Sequence, residues 1–161
     1  MVAVMTLVSA CGFQPFHERQ QADAGAASAL NQILISPLPE RLGQLLRMEL
    51  ANRLTPKGPP PTPVYLLNVK LSESKQSLGV RKDATATRAN LIITANFDLL
   101  DKQAGEKLLS GKVRSINSYN ILDAEFATLS AESDARRRAA RDLAAEIQSR
   151  LGMFLSRPTT N

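Results

Sequence analysis

Thr87-Arg88-Ala89-Asn90-Leu91-Ile92-Ile93-Thr94-Ala95-Asn96-Phe97-Asp98-Leu99 alternates almost without a break. Thr87, Ala89, Leu91, Ile93, Ala95, Phe97 and Leu99 share one phase. Arg88, Asn90, Ile92, Thr94, Asn96 and Asp98 share the other. Successive side chains of a strand point to opposite faces, so the two sets separate. One face is apolar and the other largely polar. A strand over Thr85 to Leu100 is therefore expected in an antiparallel sheet covered on one side only.

Working outward from that strand, Asp101-Lys102-Gln103-Ala104-Gly105 supplies turn residues. Lys107 to Ile121 returns as a further strand, with Leu109, Val113, Tyr119 and Ile121 in phase. Upstream, Val64 to Leu71 alternates, with Tyr65, Leu67, Val69 and Leu71 on one face. Ser72 to Asp83 is polar and reads either as an extension of that strand or as a hairpin end. Thr55 to Pro63 is proline-rich and predicts a stiff extended connector. Before it, Leu42, Leu45, Leu46, Leu50 and Leu54 fall at helical spacing behind Pro39 and Glu40. Gln32 to Ser36 is a short apolar run bounded by Asn31 and Pro37, and reads as the first strand.

After Ser130 the period becomes helical, through Ala140, Leu143, Ala144, Ile147, Leu151, Phe154 and Leu155. Ser130 is the expected N-cap, and Glu132–Arg136, Asp134–Arg138 and Glu146–Arg150 are expected i,i+4 ion pairs. The order is β-α-β-β-β-α. Two helices with one apolar face each should cover one face of a four-stranded, mostly antiparallel sheet. The expected fold class is thus α+β, a two-layer sandwich spanning residues 31–156 with a tail over 157–161.

The composition narrows the function. The 161 residues include one cysteine and one histidine, which leaves no internal disulfide and little for histidine-based catalysis or metal binding. No nucleotide-binding, zinc-protease or nucleophile-elbow motif occurs. Asp98 and Asp101 flank a turn and read as turn and surface residues. The net charge of +5 favours an acidic partner. Nucleic acid is not expected, because aromatic residues make up only 4% and tryptophan is absent, leaving few stacking platforms. Anionic lipid fits better.

The single cysteine has a telling position. Met1 to Val8 is almost wholly apolar, Ser9 and Ala10 are small, and Cys11 follows. That is the end of a bacterial lipoprotein signal. Residues 1–10 are expected to be a signal peptide whose positively charged start lies upstream of Met1. Cys11 is then the lipid anchor, carrying S-diacylglycerol and N-acyl chains, and two or more such chains hold a protein stably on a bilayer. No other cofactor is expected. Residues 11–30 form a lipidated flexible tether, with His17 a tether residue. Gly12, where an acidic residue would retain the protein in the inner membrane, favours the outer membrane.

Cys11-Gly12-Phe13-Gln14-Pro15-Phe16 resembles the mature start of the lipopolysaccharide-assembly lipoproteins of the LptE (RlpB) family. The Asp101–Gly105 hairpin, Val113 to Asn120 and Phe126 to Glu132 resemble its alphaproteobacterial branch. Phe16 stands where Leu or Tyr is commoner. The resemblance implies a non-enzymatic protein in the outer membrane, facing the periplasm. It implies complexation with the LptD β-barrel, which such proteins plug and help assemble, and binding of lipopolysaccharide during its insertion into the outer leaflet. The lipid anchor would sit in the inner leaflet of the outer membrane.

Lipid A carries phosphates, which arginine and lysine bind through charge-assisted hydrogen bonds. The candidate lipopolysaccharide-binding residues are Arg81, Lys82, Arg88, Lys112 and Arg114. Arg88, Lys112 and Arg114 should share the wet face if the third and fourth strands pair; a plain solvated basic surface is the competing reading. The Arg136-Arg137-Arg138 run with Arg141 reads as a solvated helix face. Asn90, Thr94, Asn96 and Asp98 could meet the polar lumen of a barrel, or simply solvent. The alternative function is an auxiliary lipoprotein of another envelope lipid-transport or efflux system.

Overall fold

The computed structural model describes residue 25, residues 27–80 and residues 86–157. Cys11, Arg81, Lys82, the expected signal peptide and most of the expected tether and tail lie outside these described residues.

The chain forms β1 (Ile33–Ile35), α1 (Glu40–Leu54), β2 (Tyr65–Val80), β3 (Ala86–Asp101), β4 (Lys107–Asn120) and α2 (Glu125–Leu155). The strands lie in the order β1-β2-β3-β4. β1 pairs parallel with β2, and the other two pairs are antiparallel. This is the expected α+β architecture. The parallel pair follows from the connection: a helix and a proline-rich connector return the chain to the same end of the sheet.

The apolar phase of β3 is the core. Ala89, Leu91, Ile93, Ala95, Phe97 and Leu99 are all buried. Leu42, Leu46, Leu50 and Leu54 of α1 and Leu143, Ile147 and Leu151 of α2 cover them. Gly111 lies opposite Phe97 across the β3–β4 pair. A Cβ at Gly111 would overlap the Phe97 ring, so glycine here makes room for an aromatic on the next strand. At the turn between them, Asp101 Oδ1 accepts from Gln103 N and Ala104 N, both at 2.8 Å. Gly105 closes the turn at φ +68°, the left-handed region glycine enters without strain.

The residues 27–30, expected in the tether, form a helical turn instead. The stretch is alanine-rich, a strong helix-former, and Leu30 packs against the core. β2 runs to Val80, so the polar stretch after Leu71 is strand extension. α2 begins at Glu125 rather than at Ser130. Thr128 Oγ1 accepts from Leu122 N at 2.9 Å and donates to Leu122 O at 3.1 Å, folding the preceding loop against the first turn. The early turns carry Phe126, 87% exposed, and Leu129, 57% exposed. Their apolar residues face outward, so no buried stripe announced them.

Helix lengths explain the layout. β2 and β3 each span 16 residues, about 50 Å. α2, with 31 residues, reaches about 46 Å along the sheet. α1 has only 15 residues, about 22 Å, and covers the half nearer the entry of the chain.

Candidate functional site

The side of the sheet away from the helices is an open face, and the strand registers place its residues in rows. Lys70, Asn96 and Lys112 form one row. Ser72, Thr94 and Arg114 form the next, then Ser74, Ile92 and Ile116, then Gln76, Asn90 and Ser118. Leu78, Arg88 and Asn120 form the last. Toward the other end, Leu34, Leu66 and Leu100 are aligned and half-buried.

Arg88, Lys112 and Arg114 therefore share the open face, as their phase predicts. They do not form one cluster. Lys112 and Arg114 occupy adjacent rows, whereas Arg88 stands six residues further along its strand from the Arg114 row, about 20 Å away. Lys70 joins Lys112 and Arg114, two strands across from Lys112, about 9.6 Å by strand spacing. Its sequence signal was available: it sits in the phase opposite Leu67, Val69 and Leu71.

Between the two cationic groups lies the Ile92–Ile116 pair, with Ile116 53% exposed. An apolar cross-strand pair on a wet face is the exception to the alternation. The face thus presents cation, hydrocarbon, then cation along its length. Its polar residues are tied locally: Ser118 Oγ donates to Asn90 Oδ1 at 2.6 Å, and Ser110 Oγ to Asp98 Oδ1 at 2.5 Å. That hydroxyl outweighs the cost of burial at Asp98 and, with Lys107 at 3.3 Å, holds its carboxyl below the usual aspartate value.

The helix-covered face carries charge too, beyond the end of α1. Lys75 Nζ lies 2.7 Å from Glu132 Oε1. Arg136 makes a bidentate contact with Glu73, Nε to Oε2 at 3.0 Å and Nη2 to Oε1 at 2.8 Å, and also bonds Glu132. Tyr119 OH reaches Glu132 Oε2 at 3.4 Å. Burial opposes ionisation of Glu132, but the Lys75 hydrogen bond and the Arg136 charge outweigh it, so its pKa is lowered. The Glu73 hydrogen bond outweighs burial at Arg136 and raises its pKa. Burial, and then the Glu132 charge, push the Tyr119 phenol up. Arg136 is accordingly an inter-layer residue and not part of a solvated face.

Two further expectations are corrected nearby. Asp134 pairs with Arg137 rather than Arg138. Arg138 turns to the sheet, donating from Nε to Asn117 Oδ1 at 3.3 Å and from Nη2 to Ser118 O at 3.2 Å. The expected Glu132–Arg136 and Glu146–Arg150 pairs are present.

A groove of about 560 Å³ runs beside β1, walled by Met48 and Ala51 of α1 and by Pro59 and Pro60 of the connector. Among the described residues there is no group of three or more metal-ligating side chains, and no helix is long and apolar enough to cross a membrane.

Solved structures of lipoproteins share this fold. One from Caulobacter crescentus CB15 aligns with a TM-score of 0.71 at 25% identity, covering 84% of this chain and 99% of that one. A minor lipoprotein from Acinetobacter baumannii aligns at 0.60 and 23% identity, covering 76% and 91%. Rare lipoprotein B from Shewanella oneidensis aligns at 0.58 and 14% identity, covering 75% and 92%; at such identities the last two speak to fold alone. No curated protein matches the chain. The family defined as LptE, lipopolysaccharide-assembly, matches residues 27–151. The chain belongs to the LptE family, whose members serve lipopolysaccharide assembly and not catalysis.

Proposed function

We propose that this protein is a lipoprotein of the outer membrane, anchored through Cys11 and facing the periplasm. It complexes with and plugs the LptD β-barrel, and it assists both barrel assembly and the insertion of lipopolysaccharide. The observation that carries the lipid-binding part is the open face. Lys70, Lys112 and Arg114 on one side of Ile92–Ile116, with Arg88 on the other, offer phosphate-binding cations around exposed hydrocarbon. That is the chemistry a phosphorylated, acylated glycolipid requires. Arg81 and Lys82, outside the described residues, belong to the same reading as further candidate cations.

Neutralising Lys70, Arg88, Lys112 and Arg114 singly tests the face. Each change is expected to weaken lipopolysaccharide binding by about fivefold, equivalent to ~1 kcal/mol for an exposed charge contact. Unchanged affinity in all four variants would remove this reading. Affinity purification of the lipidated chain from detergent-solubilised outer membrane tests the partner. A large β-barrel should be retained, and Cys11→Ala should move the protein out of the membrane fraction.

A further inference from the structure

β4 is an outer strand of 14 residues, and its hydrogen-bonding parity can be read from its contacts. Ile121 N, just beyond it, donates to Thr87 O at 3.0 Å, so odd-numbered residues turn their main-chain groups toward β3. Lys112, Arg114, Ile116 and Ser118 consequently turn theirs outward. Two of these outward carbonyls are occupied from α2. Arg138 donates to Ser118 O, and Arg150 Nη1 donates to Lys112 O at 3.1 Å. The two arginines are twelve residues apart on a helix, about 18 Å. The two carbonyls are six residues apart on a strand, about 20 Å. Helix and strand therefore match in length, and the arginines clamp the edge at two points.

Between the clamps, the main-chain N–H and C=O of Arg114 and Ile116 have no partner among the described residues. An open run of this kind is a template for another strand. Its surroundings select the sign of the partner. Lys112, Arg114, Arg138 and Arg150 border it, against Asp142 and Glu146. The four cations outnumber the two carboxylates, with Glu146 and Arg150 offsetting each other. Asp142 accepts from Ser115 Oγ at 2.8 Å, and Glu146 from Arg150 Nε at 2.9 Å. Ile116 adds an exposed apolar side chain against which an alternate residue of an incoming strand can pack.

We propose that the outer edge of β4, at Arg114–Ile116, accepts an extended acidic segment of another protein chain as an added strand. The main chain supplies the hydrogen bonds, and the flanking cations select acidic side chains. The main-chain edge of β4 is distinct from the lipid-binding face, but the two readings share the side chains of Lys112, Arg114 and Ile116.

The test uses the full chain and an eight-residue peptide alternating glutamate and valine. The readouts are the binding constant and amide hydrogen exchange. Binding is expected to slow exchange at the Arg114 and Ile116 amides by at least about tenfold. The same peptide with proline at its two central valines should give no protection, because proline cannot donate to a ladder. Equal protection by the proline peptide would reduce the contact to charge alone and overturn strand addition. Equal binding by a lysine-for-glutamate peptide, or no protection at all, would overturn the proposal as well. Lipopolysaccharide affinity of the same protein is measured separately. Loss of one activity with retention of the other shows which reading fails.

Discussion

The two halves of the helix-covered face share an apolar β3 but differ on the strands that flank it. In the half nearer the chain entry, Leu67, Phe97 and Leu99 lie under Leu46, Leu50, Leu54 and Leu151, and the layer is hydrocarbon throughout. In the far half, Glu73 and Lys75 of β2 meet Glu132 and Arg136 of α2, and Ser115 and Asn117 of β4 meet Asp142. The cause is the shortness of α1. Where two helices cover the sheet, side chains are dry and can be leucine. Where α2 covers it alone, the β2 side remains wet and burial of hydrocarbon is incomplete. Arg136 and Lys75 reach across with long aliphatic stems and keep their charged ends partly solvated, 29% and 48% exposed. The lesson is that a continuous apolar centre can be flanked by hydrocarbon at one end of a sheet face and by ion pairs at the other.

Breaking the dry half should cost most. Phe97→Ala removes a ring that is 2% exposed and is expected to destabilise by about 3–5 kcal/mol in denaturant titrations. Gly111→Ala attacks the same contact from the opposite strand. Overpacking against the ring should cost about 1–3 kcal/mol. Adding Phe97→Leu should recover part of that loss, which a double-mutant cycle would show.

The charged half should respond to pH, and the dry half should not. Glu132 has a folded pKa below its ordinary value, so its contribution is present above the unfolded pKa and lost as pH falls through the folded one. Stability should therefore decline through the acidic range below about pH 4.5. Glu132→Gln is expected to cost about 1–3 kcal/mol at neutral pH and to flatten that decline. An unaltered acid limb in this variant would show that other carboxylates set it. Smaller effects belong to exposed contacts of α2. Thr128→Val removes the contacts with Leu122 and should cost about 0.5–2 kcal/mol. Glu146→Gln disturbs a pair exposed by 52% and 40% and should change stability by less than about 0.5 kcal/mol.

The apolar face of β3 and the leucine stripe of α1 were legible in the sequence, and the polar contacts between α2 and the flanking strands mostly were not. Period-two alternation in β3 and the leucine spacing of α1 follow directly from one-sided burial. The extension of β2 beyond Leu71 lost its alternation because its covered-face residues are Glu73 and Lys75, polar in both phases. The first turns of α2 were missed because Phe126 and Leu129 point outward. Arg138 and Arg150 read as surface charges because i,i+4 spacing reveals partners along a helix and says nothing about a strand beside it. A stripe of Arg138, Asp142, Glu146 and Arg150 at four-residue intervals was nevertheless present, and it marks the face of α2 that lies along β4. On the open face, Lys112 and Arg114 could be placed by phase. Their distance from Arg88 depended on strand register, which turn residues alone did not fix.

The parallel pairing of β1 bears on the order in which the molecule assembles. β3 and β4 can zip outward from Leu100 and Lys107, seven positions apart, and β2 and β3 from Val80 and Ala86, six apart. β1 has three paired residues, each 32 positions from its partner, as Ile33 is from Tyr65. Closing so long a loop for so few contacts is entropically late. The β2-β3-β4-α2 unit should therefore collapse first, and β1 with α1 should arrive last. Substitutions in α1 such as Leu50→Ala should then speed unfolding while leaving the refolding rate nearly unchanged.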